Sequence, residues 1–267
     1  NNLVVIEDGA HALGGTIDNK KIGSLTDISF FSTDHSKTIN TQYGGFVATN
    51  NETFNKNLKI NYEKINYLKN TVVKKIIFSF IYEYVFFSKY FYFFGKYLHI
   101  ILIKLNIIFY FDDINLLSIP TKYSYPCKLS SFQAKLGLNE LKRLEENLKN
   151  RFNKYLKYNE LFKYNNKVYK GLSLLRYSML VKDQKQFESL FKNIDLGIWF
   201  KTILEGRNDN FVDVYYIKGT CKNAEFAAKH IINFPTHSRI EIQKLEKFLN
   251  KNINWISKNI INKNEKL

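Results

Sequence analysis

Along the first fifty residues the apolar positions come in short runs closed by polar or glycine residues: LVVIED from Leu3, DISFFS from Asp27 and GGFVATN from Gly44. Runs of that length, separated by GAHALGG, a polar turn at Asp18 to Lys21 and a hydroxyl-rich segment, predict strand, loop, strand, loop, strand. LVVIED reads as a buried parallel strand. From residue 128 the spacing changes. Leu129, Phe132, Leu136, Leu141, Leu144, Leu148 and Phe152 recur every three to five residues, which predicts one long helix with a core stripe. Ser130 and Gln133 stand at capping-box spacing at its start. Beyond it, GLSLLRYSMLV predicts a strand, Lys185 to Ile194 a short helix, and Glu241 to Leu249 a terminal helix with Ile242, Leu245, Phe248 and Leu249 on one side. The pattern is that of an α/β protein.

Between these regions Val72 to Phe111 is crowded with Phe, Tyr and Ile, yet Lys or Glu interrupts it at 74, 75, 83, 89, 96 and 104. No charge-free run reaches the roughly 18 residues of a spanning helix. On a helical projection Lys89, Lys96 and Lys104 share one sector, while Ser88, Gly95, His99 and Asn106 form a second, less apolar stripe. Two readings follow: one or two helices packed on the body or a partner subunit, or a peripheral anchor with lysines drawn to anionic lipid.

Composition narrows the classes further. Forty basic against 24 acidic residues give a net charge of +16, which favours anionic partners without selecting one. The basic residues are dispersed and no recognition motif accompanies them, so a nucleic-acid partner is not expected. Cys127 and Cys221 stand far apart with no CxxC and no nearby histidine pair, which points to a reducing cytoplasm and away from a disulfide framework or structural zinc. The chain opens without methionine directly on an apolar run, so it reads as the later part of a longer protein.

Candidate chemistry gathers behind the strand ends. Asp8, His11, Ser32 and Lys37 all follow predicted strands, and α/β sheets bind ligands beyond the carboxyl ends of their strands. A lysine that loses its proton readily can bond covalently to an aldehyde cofactor. A neighbouring aspartate can hold a pyridine nitrogen protonated by Coulomb attraction, as pyridoxal phosphate chemistry requires. Ser32 could donate to a phosphate, and Gly44-Gly45 lets backbone pass close to a ligand.

The segment from Val4 to Asn50 resembles the cofactor-lysine region of the DegT/StrS-type (DegT/DnrJ/EryC/StrS) sugar aminotransferases. Glu7, Asp8, Ala10, His11, Ala12 and Gly14 carry the first part of that pattern. Gly23, Asp27, Phe31, Ser32, Lys37, Gly44 and Gly45 carry the second. KLSSFQAKLGLNELKRLEE (128 to 146) resembles a second family block, with Lys128 where arginine is usual, and NFPTHSRI (233 to 240) a looser third, in which His237 reads as structural. The family's N-terminal third, which normally carries the loop gripping the cofactor phosphate, has no counterpart here. Tyr43 before the glycine pair and Thr33-Asp34-His35-Ser36 between serine and lysine depart from the usual filling.

The resemblance implies a fold-type I PLP-dependent transferase: a partial large domain with a mostly parallel sheet (1-69), a helical insert (70-122), and a connecting helix with a smaller C-terminal α/β domain (123-267). It implies pyridoxal 5'-phosphate held by Lys37, Asp8, His11 and Ser32. Lys37 would bond to the cofactor and move the proton, Asp8 pair with the pyridinium, His11 lie near the phenolic oxygen, and Ser32 bind phosphate. The implied reaction passes an amino group from glutamate to a nucleotide-linked keto sugar for a surface polysaccharide, in a cytoplasmic homodimer. A branch of the family replaces the lysine with histidine and dehydrates instead; Lys37 keeps the register here although His35 is close. The alternative is a non-catalytic relative acting as a membrane-surface or partner-binding scaffold.

Overall fold

The computed structural model describes residues 3–88, 91–109, 125–164, 171, 174–192, 194–199, 202–204 and 215–261. The chain forms two compact units. The described parts of the first fall within Asn1–Phe111, Leu116–Lys149 and Val168–Leu175; those of the second fall within Asn150–Lys167 and Arg176–Leu267.

The first unit is built on a three-stranded sheet of β1 (Ile6–Asp8), β4 (Ile28–Ser32) and β5 (Gly45–Ala48), in the order β1-β4-β5. β1 runs parallel to β4, with Asp8 opposite Phe30, and β5 runs antiparallel to β4, with Phe31 opposite Phe46 and Ser32 opposite Gly45. The sheet is therefore mixed, where a mostly parallel one was expected. Side chains alternate between faces, and the two faces differ. Ser29 and Phe31 are buried on one, where Phe31 stacks on Phe46 at 5.0 Å and Glu7 accepts from Gly23 N and Ser29 Oγ. Ile6, Phe30 and Val47 are exposed on the other. LVVIED is thus not the buried strand its run of apolar residues predicted. Only Ile6–Asp8 pairs, and Leu3, Val4, Val5 and Ile6 are all exposed, because no described layer packs over them.

Between β1 and β4, β2 (Thr16–Ile17) and β3 (Lys20–Lys21) form a hairpin. Asp18 and Asn19 turn it with φ of 49° and 62°, the left-handed pair that a two-residue hairpin requires. Helix α1 (Glu52–Glu63) starts where the Asn51 side chain accepts from Phe54 N. The aromatic segment folds as two helices, α2 (Asn70–Phe86) and α3 (Tyr92–Lys104), so a single helical projection across residues 87–91 does not hold; Lys89 lies outside the described residues. α2 turns Ile76, Ser79 and Tyr82 inward, with Ile76 and Leu68 packed against Tyr43, Val72, Val73 and Phe109.

The expected long helix is two: α4 (Ser131–Lys142) and α5 (Leu144–Phe162). Arg143 leaves the helical region at φ −103° and ψ 6°, and its N–H turns to Glu140 O and Leu141 O. The stripe is half-buried rather than core, with Leu141 exposed. The division between the units falls inside α5, after Lys149.

In the second unit β6 (Arg176–Leu180) pairs antiparallel with β7 (Ile231–Pro235), among α6 (Gln184–Leu190), α7 (Lys222–His230) and α8 (Ile242–Asn259). Tyr158, Phe162, Tyr177 and Phe234 form its aromatic centre, with Tyr158 and Tyr177 at 5.2 Å and Phe162 and Phe234 at 5.0 Å. The C-terminal helix runs ten residues past the expected Leu249 because Leu245, Leu249 and Ile256 extend one buried stripe.

Candidate functional site

Strand alternation puts Asp8, Phe30 and Ser32 on one face of the sheet, the face left open. Asp8 and Ser32 close the parallel pair β1 and β4 at their carboxyl ends. Lys37 follows on a tight turn fixed from several sides. Lys37 N donates to Asp34 O at 3.0 Å, while Ser36 N and Ser36 Oγ both donate to Asp34 Oδ1, at 3.0 and 2.9 Å. Thr33 N donates to Gly44 O, Thr41 N to Thr33 O, and the two threonine hydroxyls meet at 2.7 Å. Ile39 is 1% exposed, so the segment just after the lysine is pinned into the unit. A Cβ on Gly45 would run into the Phe31 carbonyl, which is why this crossing needs glycine.

Held this way, Lys37 Nζ lies 2.7 Å from His11 Nε2. Partial burial of the His11 ring and the Lys37 ammonium lower the imidazole pKa, outweighing the Asp8 and Asp34 carboxylates. The ring is neutral at pH 7, so Lys37 donates and His11 accepts, which leaves the imidazole proton on Nδ1. Asp8 Oδ1 accepts from Ala10 N at 2.9 Å. His11 thus feels the fields of Lys37, Asp8 and Asp34 together.

Beside this group Asp34 and His35 form a pair, with Nδ1 to Oδ2 at 3.1 Å. Burial acts to raise the Asp34 pKa, but the bond from His35 and those from Ser36 bring it down to about 2. The same hydrogen bond raises His35 above its ordinary value, against burial and with help from Asp34 and Glu83. His35 is exposed, and the Lys37 ammonium acts against its protonation.

Two further anchors had no signal as site residues. Gln133, fully buried, closes the capping box with Ser130, and its Nε2 donates to Tyr43 O at 2.6 Å and Thr41 O at 3.4 Å. Tyr43, the departure before the glycine pair, packs against Leu68 and against Ile76 of α2 and meets Phe109 at 5.2 Å. Its apolar surroundings were unreadable while the segment from Val72 lacked a place. Asn147 Nδ2 adds a bond to Thr38 O at 2.9 Å.

In the second unit His237 is held near a pKa of about 3 by burial and by Arg151, Arg176, Lys154 and Arg239. It is neutral and its backbone carbonyl accepts from Lys154 Nζ at 2.6 Å, a structural setting. Cys127 and Cys221 are free, and among the described residues no cluster is set to hold a metal.

Known proteins share both the sequence of the first part of the chain and its fold. The DegT/DnrJ/EryC1/StrS aminotransferase family matches residues 1–78, a stretch containing Asp8, His11, Ser32 and Lys37. Over those residues the chain is similar to this family. The UDP-4-amino-4,6-dideoxy-N-acetyl-beta-L-altrosamine transaminase of Campylobacter jejuni is 25% identical over 256 residues, 91% of this chain and 56% of its own length. GDP-perosamine synthase of Caulobacter vibrioides is 49% identical over 51 residues, 19% of this chain and 14% of its own. Among solved structures, the Helicobacter pylori aminotransferase PseC superposes with a TM-score of 0.60 at 20% identity, covering 96% of this chain and 60% of that one. A DegT/DnrJ/EryC1/StrS aminotransferase from Brucella abortus gives 0.60 at 16% identity, covering 94% and 57%. The fold is that of the fold-type I aminotransferases, and the chain spans a little over half the length of PseC and of the Campylobacter transaminase.

Proposed function

We propose that this chain carries the lysine and the ring-facing side chains of a PLP-dependent aminotransferase acting on a nucleotide-linked keto sugar. The observation that carries the reading is the 2.7 Å contact between Lys37 Nζ and the neutral His11, at the carboxyl ends of the parallel strands bearing Asp8 and Ser32. The donor set fits the cofactor: an amine for its aldehyde, a carboxylate for its ring nitrogen, a hydroxyl for its phosphate, and a neutral imidazole for its phenolic oxygen. When bound, pyridoxal phosphate supplies an electron-withdrawing ring that accepts negative charge from the substrate carbon.

The protein's own part is positional and acid-base. Lys37 would hold the cofactor through its aldehyde and, as a free amine, would carry a proton between substrate atoms within reach of Nζ. His11 accepts from Lys37 and orients it. Asp8 keeps the ring nitrogen protonated, and Ser32 donates its hydroxyl to phosphate. A lysine, rather than a histidine, at this position supports amino transfer over dehydration. The relatives' named nucleotide sugars support the substrate class. Glutamate as donor, a surface polysaccharide as destination, and a cytoplasmic homodimer complete the reading.

The test is a visible spectrum of the full chain with pyridoxal phosphate, followed by borohydride reduction and peptide mapping. Label on Lys37, lost in Lys37→Ala, is expected, and label that persists in Lys37→Ala refutes the role. A folded chain that takes no label at all would instead favour a non-catalytic relative.

A further inference from the structure

Among the described residues, the helices α2 and α3 are covered on one side only. On α2 the inward residues Ile76, Ser79 and Tyr82 pack on the first unit, and Phe80 meets Phe132 edge-on at 5.7 Å. Tyr82 OH donates to Gly95 O, joining the two helices. The outward positions Lys74, Phe78, Ile81 and Val85 recur at spacings of four, three and four, a single stripe, and all are exposed. α3 repeats the arrangement, with Phe94, Tyr97, Ile101 and Lys104 outward. Phe94 is 60% exposed and Tyr84, beside the α2 stripe, 68%. Exposed apolar side chains gathered along neighbouring helices in this way mark an interaction surface.

Charge selects the partner. Lys74, Lys96 and Lys104 are exposed on these helices. Glu83 is the one acidic residue from Asn70 to Phe109, and it is half-buried and accepts from Gln42 Nε2 at 2.9 Å. The outward side therefore offers aromatic and aliphatic groups interleaved with cations and no exposed carboxylate. A second copy docking through the same side would bring lysines against lysines. Aromatic rings and lysine stems with cationic tips match the headgroup level of a bilayer, where rings enter the acyl boundary and ammonium groups remain among phosphates. No described helix is long and apolar enough to cross a membrane. We propose that the outward side of α2 and α3 lies on a membrane surface containing anionic phospholipid, apolar side chains inserted and Lys74, Lys96 and Lys104 paired with headgroup phosphates. This surface is separate from the Lys37 group, and the proposal stands whether or not the cofactor reading holds.

The experiment is flotation of the full chain with phosphatidylglycerol–phosphatidylcholine vesicles and with pure phosphatidylcholine vesicles, with self-association followed by sedimentation velocity. Flotation is expected with the anionic vesicles and not with the neutral ones. Lys96→Gln and Lys104→Gln should weaken it about fivefold for each lysine removed. Phe94→Ser with Ile101→Ser should abolish it while the far-ultraviolet circular dichroism stays unchanged, and Lys37→Ala should float like the parent. Four outcomes overturn the proposal: no flotation, flotation indifferent to lipid charge, flotation unchanged by the serine substitutions, or a dimer that those substitutions dissolve without any vesicle binding.

Discussion

At the scale of single residues, the site is a set of competing protonation preferences held within one turn. His11 sits beside an ammonium that opposes its protonation, so its contact with Lys37 is present above its lowered pKa and is lost as pH falls through it. Replacing the ring by an amide, His11→Gln, keeps an acceptor with no titration. The prediction is that cofactor labelling of Lys37 falls off in mild acid in the parent and that this part of the loss disappears in His11→Gln. Parallel profiles would show that His11 does not hold the lysine. The Asp34 and His35 pair has the opposite sign on the histidine side. Its contribution through His35 is complete below the ordinary imidazole value near 6.5 and is lost as pH rises through the raised one. Through Asp34 it is complete above the ordinary carboxyl value of 3.8, declines as pH falls below that, and is gone below the folded-state value of about 2. A proton magnetic resonance titration should place His35 above 6.5 in the parent and lower in Asp34→Asn. Equal midpoints would remove the pairing. Lys37, Asp8, His11 and Ser32 were readable as candidates because their spacing along the chain is a motif. The contact of Lys37 with His11 was not, since 26 residues separate them and only the turn brings the side chains together. Nor was the use of Asp34, whose carboxylate organises that turn through backbone bonds that leave no periodic trace.

At the scale of elements, a local rule was legible where it was satisfied locally. The capping box at Ser130 and Gln133 is made by bonds within four residues, and it forms as its spacing indicated. The second task of the same glutamine, bonding the carbonyls of Thr41 and Tyr43, spans some 90 residues and could not be read. Losing both at once, Gln133→Ala removes the reciprocal half of the capping box, the bond that Gln133 Oε1 accepts from Ser130 N, and strands buried carbonyls at about 1 kcal/mol or more. Urea unfolding should show a loss of about 2 kcal/mol or more, and a change no larger than a cap alone would mean that the loop carbonyls find water. The sheet makes a sharper contrast. Phe30 and Phe31 are adjacent, yet one is 40% and the other 4% exposed. Phe31→Ala should cost about 3 to 5 kcal/mol, whereas Phe30→Thr should stay near about 0.5 kcal/mol. Similar losses would mean the open face is covered in solution. Burial of LVVIED was misread for the same reason: an apolar run announces what a strand prefers, and covering it depends on a layer elsewhere in space. The break at Arg143 was missed because the three-to-five spacing of leucines continues through it, so periodicity alone drew one helix where the backbone makes two.

At the scale of the whole molecule, the excess of positive charge was plain in the composition, but its meaning depends on arrangement. Part of it is cancelled pairwise: Lys157 lies between Glu160 and Glu246, Arg176 reaches Asp195 at 2.9 Å, and Lys244 reaches Glu241 at 2.7 Å. The compact units were less legible, because their division falls within α5, whose sequence carries no glycine or proline to mark it. A nucleic-acid binder gathers its cations along one groove or helix and adds residues that read bases. The exposed lysines are spread over β3 and every helix from α1 to α8, without such a groove among the described residues, so each phosphate contact would form alone. Affinity for DNA should then be weak and indifferent to sequence. It should fall steeply with salt and be lost by roughly 0.2 M, because counterion release is its whole driving force. Elution from a DNA column across a salt gradient measures this directly. Retention well above that salt, or a preference between duplexes of different sequence, would require a built nucleic-acid surface and would reassign the +16 charge from a dispersed coat to a binding site.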